Sequence, residues 1–159
     1  MLVEGDELKL PFSNYSFDVA IARLAEYSPD EVCRVLKVGG LFFEYELGPE
    51  ANKEIMEFFS GRIEEESFFF PKNVEKWKNE VCEKVANAGL LVENIEDHKE
   101  KNYYQSVEAL MNLIEMVPLV KNFDRVKDKE VVGKLAEKYR EKQGIGITWH
   151  YYILTARRL

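Results

Sequence analysis

The sequence has few cysteines and histidines, the side chains that form disulfide bonds and most zinc sites. Its two cysteines, Cys33 and Cys82, fall in separate helical patterns, and no C-x-x-C pair occurs. Two separate cysteines in a reducing compartment are most often small buried side chains, and less often a redox pair or metal ligands. His98 and His150 each stand alone in the sequence. We therefore expect no metal site.

Long apolar runs and an excess of positive charge are also missing. No apolar stretch approaches the ~20 residues that a bilayer-spanning helix needs, and residues 1–6 do not resemble a secretion signal. These features predict a cytoplasmic protein without a membrane partner. The formal net charge of −7 argues against nucleic acid as a partner of this chain alone, because phosphate binding requires a basic face.

The remaining composition is that of an ordinary globular protein. Apolar residues make up 46% of the chain and charged residues 32%. The length of 159 residues suits one domain, residues 1–159, with a single hydrophobic core. Strand and helix patterns alternate without an internal repeat or a linker, so the predicted class is α/β, with helices on the faces of the sheet.

The first third of the chain predicts one βαβ crossover. Residues 17–22 are almost continuously apolar, which is typical of a strand covered on both faces in a mostly parallel sheet. Ser28 and Pro29 predict the start of a helix, and Gly39-Gly40 its end. A second strand follows at residues 41–47, so the first two strands are expected to be parallel.

The rest of the chain predicts four more helices and two more strands. The helices are expected at residues 50–59, 73–88, 106–115 and 128–143. Strands at residues 90–96 and 147–155 complete a sheet of about four strands. The aromatic triplet from Phe68 to Phe70 is interpreted as a core or interface plug, with a substrate wall as the less favoured alternative.

Two blocks of the sequence resemble motifs of class I S-adenosylmethionine-dependent methyltransferases of the type-11 kind. The first is GDELKLPF at residues 5–12, followed after a polar turn by FDV at residues 17–19. The second, EVCRVLKVGG at residues 31–40, is similar to that family's RVLKPGG turn, with Val38 in place of the usual proline. Two blocks in this order and at this spacing are far more specific than a lone glycine motif.

The resemblance implies a Rossmann-like methyltransferase sheet and S-adenosylmethionine as its cofactor. It makes residues 17–22 the fourth strand of that sheet and residues 41–47 the fifth, with the last two strands as the antiparallel sixth and seventh. The acidic charge of the chain favours a small molecule over RNA as the methyl acceptor, although the fold itself does not choose the acceptor.

The same resemblance implies the cofactor-binding residues. Asp6 would accept a hydrogen bond from the adenine amino group, and Glu7 would offer its backbone N–H to the adenine ring. Arg23 and Leu24 would lie beside the methionine end of the cofactor, at the carboxyl end of the fourth strand. From the residues alone, Asp6 is equally well interpreted as a turn former that uses its side chain locally.

No catalytic residue can be assigned from the sequence. Arg23, Glu26 and Tyr27 follow the fourth strand and are candidates for a polar role near the transfer site. An interpretation as surface loop residues is at least as well founded for all three.

The glycine-rich turn that holds the cofactor in this family is missing from the sequence. Gly5 is isolated, Gly39-Gly40 follows a helical pattern, and Gly144-Ile145-Gly146 precedes a strand. The expectation is therefore a chain that covers the C-terminal two-thirds of the fold and is incomplete or inactive alone. The alternative function is a non-catalytic dimeric scaffold or regulatory module derived from a methyltransferase.

A sheet without its first three strands would leave the fourth strand with one unpaired edge. Exposed apolar edges invite association. We therefore expect a homodimer through the strand from Phe17 to Ala22, or a separate chain that supplies the missing strands.

Overall fold

The computed structural model describes residues 3–63, 74–117 and 119–159. Within these residues the chain forms five strands and five helices, which confirms the α/β class. In chain order they are β1 (Phe17–Arg23), α1 (Pro29–Val35), β2 (Leu36–Leu47), α2 (Lys53–Phe58), α3 (Val74–Asn87), β3 (Leu90–Tyr104), α4 (Val107–Met116), α5 (Lys129–Lys138), β4 (Arg140–Glu141) and β5 (Gly144–Arg158).

The strands form an open mixed sheet in the order β1-β2-β5-β3, and β4 pairs with β5. β1 and β2 are parallel. β2 and β5 are antiparallel, with Leu41 opposite Arg157 and Leu47 opposite Tyr151. The predicted parallel pair and the antiparallel pairing that follows it are confirmed, and the sheet has one short strand more than expected.

The described residues group into two compact units. The first comprises the described parts of Met1–Leu47, Pro71–His98 and Tyr151–Leu159, and the second those of Gly48–Phe70 and Lys99–His150. Each unit has its own hydrophobic core. The buried residues of the first core are Val32, Leu36, Phe42, Trp77, Val85, Leu90, Tyr152, Leu154 and Ala156. The second core is built mainly from α2, α4 and α5, with Ile145 and Ile147 of β5.

Helix α1 begins as the sequence predicts and ends earlier than predicted. The Ser28 hydroxyl accepts a hydrogen bond from the Glu31 backbone N–H at 3.3 Å, and Pro29 is the first helical residue. The helix ends at Val35, and Gly39-Gly40 lies inside β2 rather than at a helix stop. Leu36, the next residue, is already extended and is the register partner of Phe17 in β1. Extra residues of β2 between Leu36 and Leu41, Gly39-Gly40 among them, form an irregularity opposite Phe17 and Val19.

Strand β1 is not covered on both faces, contrary to its continuous apolar pattern. It stands at one end of the strand order. Val19 and Ile21 are 46% and 70% exposed, whereas Ala20 and Ala22 pack against the core of the first unit. In an edge strand with one solvated face, exposed and packed side chains alternate in this way. The sequence does not show this alternation, because alanines on the packed face and β-branched residues on the exposed face are all apolar.

The helix expected at residues 128–143 is also shorter than predicted. α5 ends at Lys138, and Arg140–Glu141 forms β4, in which Arg140 lies opposite Ile145. Gly144 has a φ of 136°, so it provides the turn back into β5. The aromatic triplet at residues 68–70 lies outside the described residues.

Candidate functional site

Arg23 and Leu24 lie where β1 ends, beside the end of β2. Arg23 is the register partner of Tyr45, and its guanidinium carbon lies 5.6 Å from the centre of the Tyr45 ring. The Leu24 backbone N–H donates to the Tyr45 carbonyl at 2.9 Å. Leu24 has a φ of 49°, a left-handed conformation that few non-glycine residues adopt. Open α/β sheets bind ligands at the carboxyl ends of their parallel strands, which is where these residues lie.

A row of stacked side chains continues from Arg23 across the sheet. The ring centres of Tyr45 and Tyr151 are 5.1 Å apart. His98 stacks on Tyr151 at 5.1 Å with an interplanar angle of 20°. Arg23, Tyr45, Tyr151 and His98 come from β1, β2, β5 and β3, and we call them the aromatic row. Its π-faces and terminal cation suit a planar or charged ligand.

The opposite face of β2 carries a buried carboxylate. Glu44 is only 6% exposed, and it accepts hydrogen bonds from the phenols of Tyr27 at 2.8 Å and Tyr152 at 2.6 Å. Burial, with the nearby Glu44 charge, raises the pKa of both tyrosines far above the ordinary value. Both phenols therefore stay protonated and act as donors. The Lys84 ammonium lies 4.9 Å from the Tyr27 ring centre and adds a cation–π contact.

Glu46 is the second carboxylate near the end of β2. Burial raises its pKa above the ordinary value, and the backbone N–H of Leu47, donating at 2.8 Å, partly offsets this effect. A carboxyl group with a raised pKa at the end of a parallel strand is a candidate proton donor or acceptor. Sequence reasoning missed Glu44 and Glu46. Their signal is the FFEYEL pattern, in which two acidic residues interrupt an apolar strand.

Asp6 and Glu7 lie in a tight turn of the first unit. The Lys9 N–H donates to the Asp6 carbonyl at 3.0 Å, and the Leu8 N–H donates to Asp6 Oδ1 at 2.8 Å. One carboxylate oxygen of Asp6 thus serves the turn, as the turn-former interpretation states. Both residues are exposed, and a carboxylate accepts at two oxygens, so Asp6 retains capacity to accept from a ligand.

An arginine–glutamate pair on α1 fastens the segment that follows this turn. Arg34 donates to the carbonyls of Leu10 at 3.0 Å and Phe12 at 2.7 Å, and to the Asn14 side chain at 2.9 Å. Glu31 accepts from the Leu10 N–H at 2.8 Å. The hydrogen bond from Arg34 holds the pKa of Glu31 below its ordinary value. We call these two residues the α1 clamp, which sequence reasoning did not identify.

Arg23, Glu26 and Tyr27, the polar candidates for a role near the transfer site, lie at three different places in the structure. Arg23 joins the aromatic row, and Tyr27 binds Glu44 on the opposite face of β2. Glu26 is exposed in the connecting loop. The structure therefore brings together Arg23 and Leu24 with Tyr45, while Asp6 and Glu7 occupy a turn whose described side-chain bond is local.

In the described ranges, no group of three His, Cys, Asp or Glu side chains is arranged to hold a metal ion. None of the helices in these ranges combines the length and apolarity that crossing a membrane requires. Cys33 and Cys82 are free thiols and partly buried, and burial raises the pKa of Cys82.

No protein-family model matches the sequence, and no curated protein matches it either. Solved structures do. A candidate methyltransferase of Bacillus halodurans aligns over 98% of this chain and 70% of its own, with 17% identity and a TM-score of 0.59. A SAM-dependent methyltransferase of Methanosarcina mazei aligns over 98% and 65%, with 14% identity and a TM-score of 0.51. The chain has a methyltransferase fold.

A further solved structure aligns over a similar share of its length. The YcgJ protein of Bacillus subtilis aligns over 98% of this chain and 70% of its own, with 18% identity and a TM-score of 0.51. The chain thus corresponds to about two-thirds of the length of these three structures. At identities this low, the structural alignments show a common fold and no more. Fold alone does not determine activity.

Proposed function

We propose that this chain is part of an S-adenosylmethionine-dependent methyltransferase and contributes the adenine side of its cofactor site. The observation that carries the proposal is the methyltransferase fold, in which the turn of Asp6 and the strand end of Arg23 belong to the same compact unit. The two motif blocks support it, because they form that turn, β1 and α1.

The residues at the adenine end fit this cofactor. Asp6 is exposed and has a carboxylate oxygen beyond the one that binds the Leu8 N–H. In the proposal, that oxygen accepts from the adenine amino group, and Glu7 presents its backbone to the ring. The α1 clamp holds the segment in place through Leu10 and Phe12. When bound, the cofactor supplies a methyl group activated by a sulfonium.

The residues at the methionine end fit the cofactor less well than those at the adenine end. Arg23 and Leu24 lie at the carboxyl end of β1, where the methionine part would pass. The sequence has no glycine-rich turn between a strand and a helix, which is the element that lets a cofactor approach the backbone closely. We therefore propose that the chain alone binds the cofactor weakly and transfers methyl groups poorly, because transfer requires aligned reactants in a dry pocket.

Isothermal titration calorimetry with S-adenosylmethionine and S-adenosylhomocysteine tests the proposal on the intact chain. We expect binding in the micromolar range for the unchanged protein. Asp6→Asn should weaken it about tenfold, since a hydrogen bond to a charged group contributes about 1.5 kcal/mol. Asparagine keeps the oxygen that accepts from Leu8 and replaces only the other one, so the turn is preserved.

The matched control is Glu137→Gln, which removes the same charge from an exposed position of α5 in the second unit. It should leave the affinity unchanged. Equal losses in both variants would indicate a general charge effect and contradict the role of Asp6. Absence of any binding heat from the unchanged chain would contradict the proposed function itself.

A second candidate function is a non-catalytic dimeric scaffold or regulatory module. The observation that favours it is the exposed edge and apolar face of β1, where Ile21 is 70% exposed. The same titration separates the two candidates, because a scaffold of this kind has no reason to retain cofactor affinity.

A further inference from the structure

We propose that the open edge of β1 is a self-association site, at which a second copy of the chain pairs antiparallel across a two-fold axis. In the described part of the chain β1 ends the strand order, with β2 on one side. Seven residues long, the strand contains neither proline nor lysine. Natural edge strands are usually shortened or carry such residues, because an unprotected edge is a template for pairing.

The backbone of β1 shows which groups face the open edge. The Leu24 N–H donates to the Tyr45 carbonyl of β2. Backbone groups alternate in direction along a strand, so the even-numbered residues of β1 bond towards β2. Val19, Ile21 and Arg23 therefore point their N–H and C=O groups away from β2. A pairing strand would bond to these three residues.

A symmetric antiparallel pair keeps both copies with the same face up, which restricts the possible registers. The register centred on Ala20 places Val19 opposite Ile21 of the second copy. These two residues are the exposed apolar side chains of the strand, at 46% and 70%. Cross-strand apolar pairs of this kind stabilise antiparallel sheets. The edge is thus complementary to itself.

The charges of β1 are compatible with the same register. Asp18 falls opposite Ala22 of the second copy, and Arg23 falls opposite Phe17, so no like charges meet. Asp18 already pairs with Lys37 of its own chain at 2.8 Å. Repulsion between like charges, which commonly prevents edge strands from pairing, is therefore absent from this register.

Self-association has a direct consequence for other partners. A strand from a different polypeptide would need the same N–H and C=O groups of Val19, Ile21 and Arg23. The two-fold dimer and such a complex are therefore mutually exclusive states of this edge. The dimer does not depend on cofactor binding, so its test is independent of the proposed function.

Light scattering after size exclusion, on the intact chain at micromolar concentration, measures the assembly. We expect twice the chain mass of 18.6 kDa. Ile21→Lys should give a monomer with unchanged far-ultraviolet circular dichroism. The control Ile153→Lys alters an exposed residue of β5, opposite Tyr45 on the same face but away from the edge, and should remain dimeric. A monomeric unchanged protein, or a monomeric Ile153→Lys variant, would overturn edge pairing.

Disulfide trapping tests the register in a background with Cys33 and Cys82 replaced by serine. Ala20→Cys should cross-link to itself on mild oxidation, because directly opposite residues in a non-hydrogen-bonded pair lie about 4.5 Å apart at Cα, within disulfide range. Ala22→Cys should not, because it would face Asp18. Cross-linking at position 22 and not at position 20 would exclude the register proposed here. A foreign strand at this edge would give neither cross-link.

Discussion

At the scale of single residues, Gly48 packs directly against the His150 ring in the second unit. The His150 ring is fully buried, and its Nδ1 accepts from the Glu50 N–H at 3.0 Å. The Gly48 N–H donates to the His150 carbonyl at 2.8 Å. A Cβ atom at Gly48 would overlap the imidazole ring. Glycine at this position is therefore required by space.

Gly48→Ala should lower the free energy of unfolding by about 2 kcal/mol, because overpacking a buried contact costs roughly 1–3 kcal/mol. Urea denaturation measures the change. Gly133→Ala is the matched control, since a Cβ there meets nothing within 4 Å and the residue lies in α5. It should stabilise the protein by up to about 1 kcal/mol, the helix preference of alanine. Equal effects in the two variants would contradict the steric explanation.

Asp128 makes the most buried ion pair of the second unit. It is 5% exposed and accepts from two nitrogens of Arg62 at 2.6 and 3.0 Å. The Asp124 N–H also donates to it at 2.9 Å. These hydrogen bonds, that of Arg62 foremost, hold the pKa of Asp128 below its ordinary value of 3.8.

A carboxyl group with a lowered pKa stabilises the fold above its ordinary pKa and loses that effect as pH falls through its folded pKa. Asp128→Asn should therefore cost about 2 kcal/mol at pH 7, and the difference from the unchanged protein should shrink below about pH 4. Urea denaturation across pH 3–7 measures it. Glu130→Gln breaks an exposed pair with Lys134 and should change stability by less than about 0.5 kcal/mol. A pH-independent loss for Asp128→Asn would refute the charge mechanism.

At the scale of elements, local sequence signals located the starts of helices well. Ser28 caps α1 as predicted, and Ser106 caps α4 at the predicted start of that helix, because a cap depends only on the next three residues. Ends were located less well. Gly39-Gly40 has the pattern of a helix stop, yet it lies inside β2, between Leu36 and Leu41, which pair with β1. α5 ends before a tight hairpin, in which Arg140 and Glu141 of β4 pair with Ile145 and Gly144 of β5. The helix-forming residues that continue through Gln143 conceal this hairpin in the sequence.

The α1 clamp gives a prediction at this scale, because it fixes a loop without secondary structure. Arg34→Ala should speed amide hydrogen exchange at Leu10 at least tenfold, since the Glu31 that holds this N–H loses its partner. Tyr15 and Ser16 bond to backbone carbonyls of Arg34 and Val35 and should keep their protection. Exchange measured by nuclear magnetic resonance resolves the three sites.

Arg34→Lys should not restore protection at Leu10, because a single ammonium cannot reproduce the fork that contacts Glu31 and two carbonyls. Arg125→Ala removes another multiply bonded arginine, in the second unit, and is the control. It should leave exchange in residues 3–16 unchanged. Faster exchange there in both variants would mean that the loop responds to global stability instead of to the clamp.

At the scale of the whole molecule, the fold class and the parallel pairing of β1 with β2 could be predicted, because helix and strand patterns alternate there as in a βαβ crossover. The site was only partly predictable. Arg23 is the last residue of β1 and Leu24 follows it, so the sequence position of the strand is enough to place both at the strand end. Glu44 binds Tyr27 and Tyr152, which lie far from it in the chain. These contacts form only when the core of the first unit packs, so no local pattern predicts them. Asp6 as an adenine acceptor stays a prediction.

The position of β5 in the sheet has a consequence for biosynthesis. β5 follows the other strands in chain order, yet it lies between β2 and β3. While the ribosome is still adding residues 151–158, the β2 edge that will receive Leu154 and Ala156 is open, and β3 lacks its neighbour β5. The sheet of the first unit can therefore close only once translation has passed residue 158. Until that point a nascent chain carries an open β2 edge, the kind of unpaired strand edge that makes folding intermediates prone to aggregation.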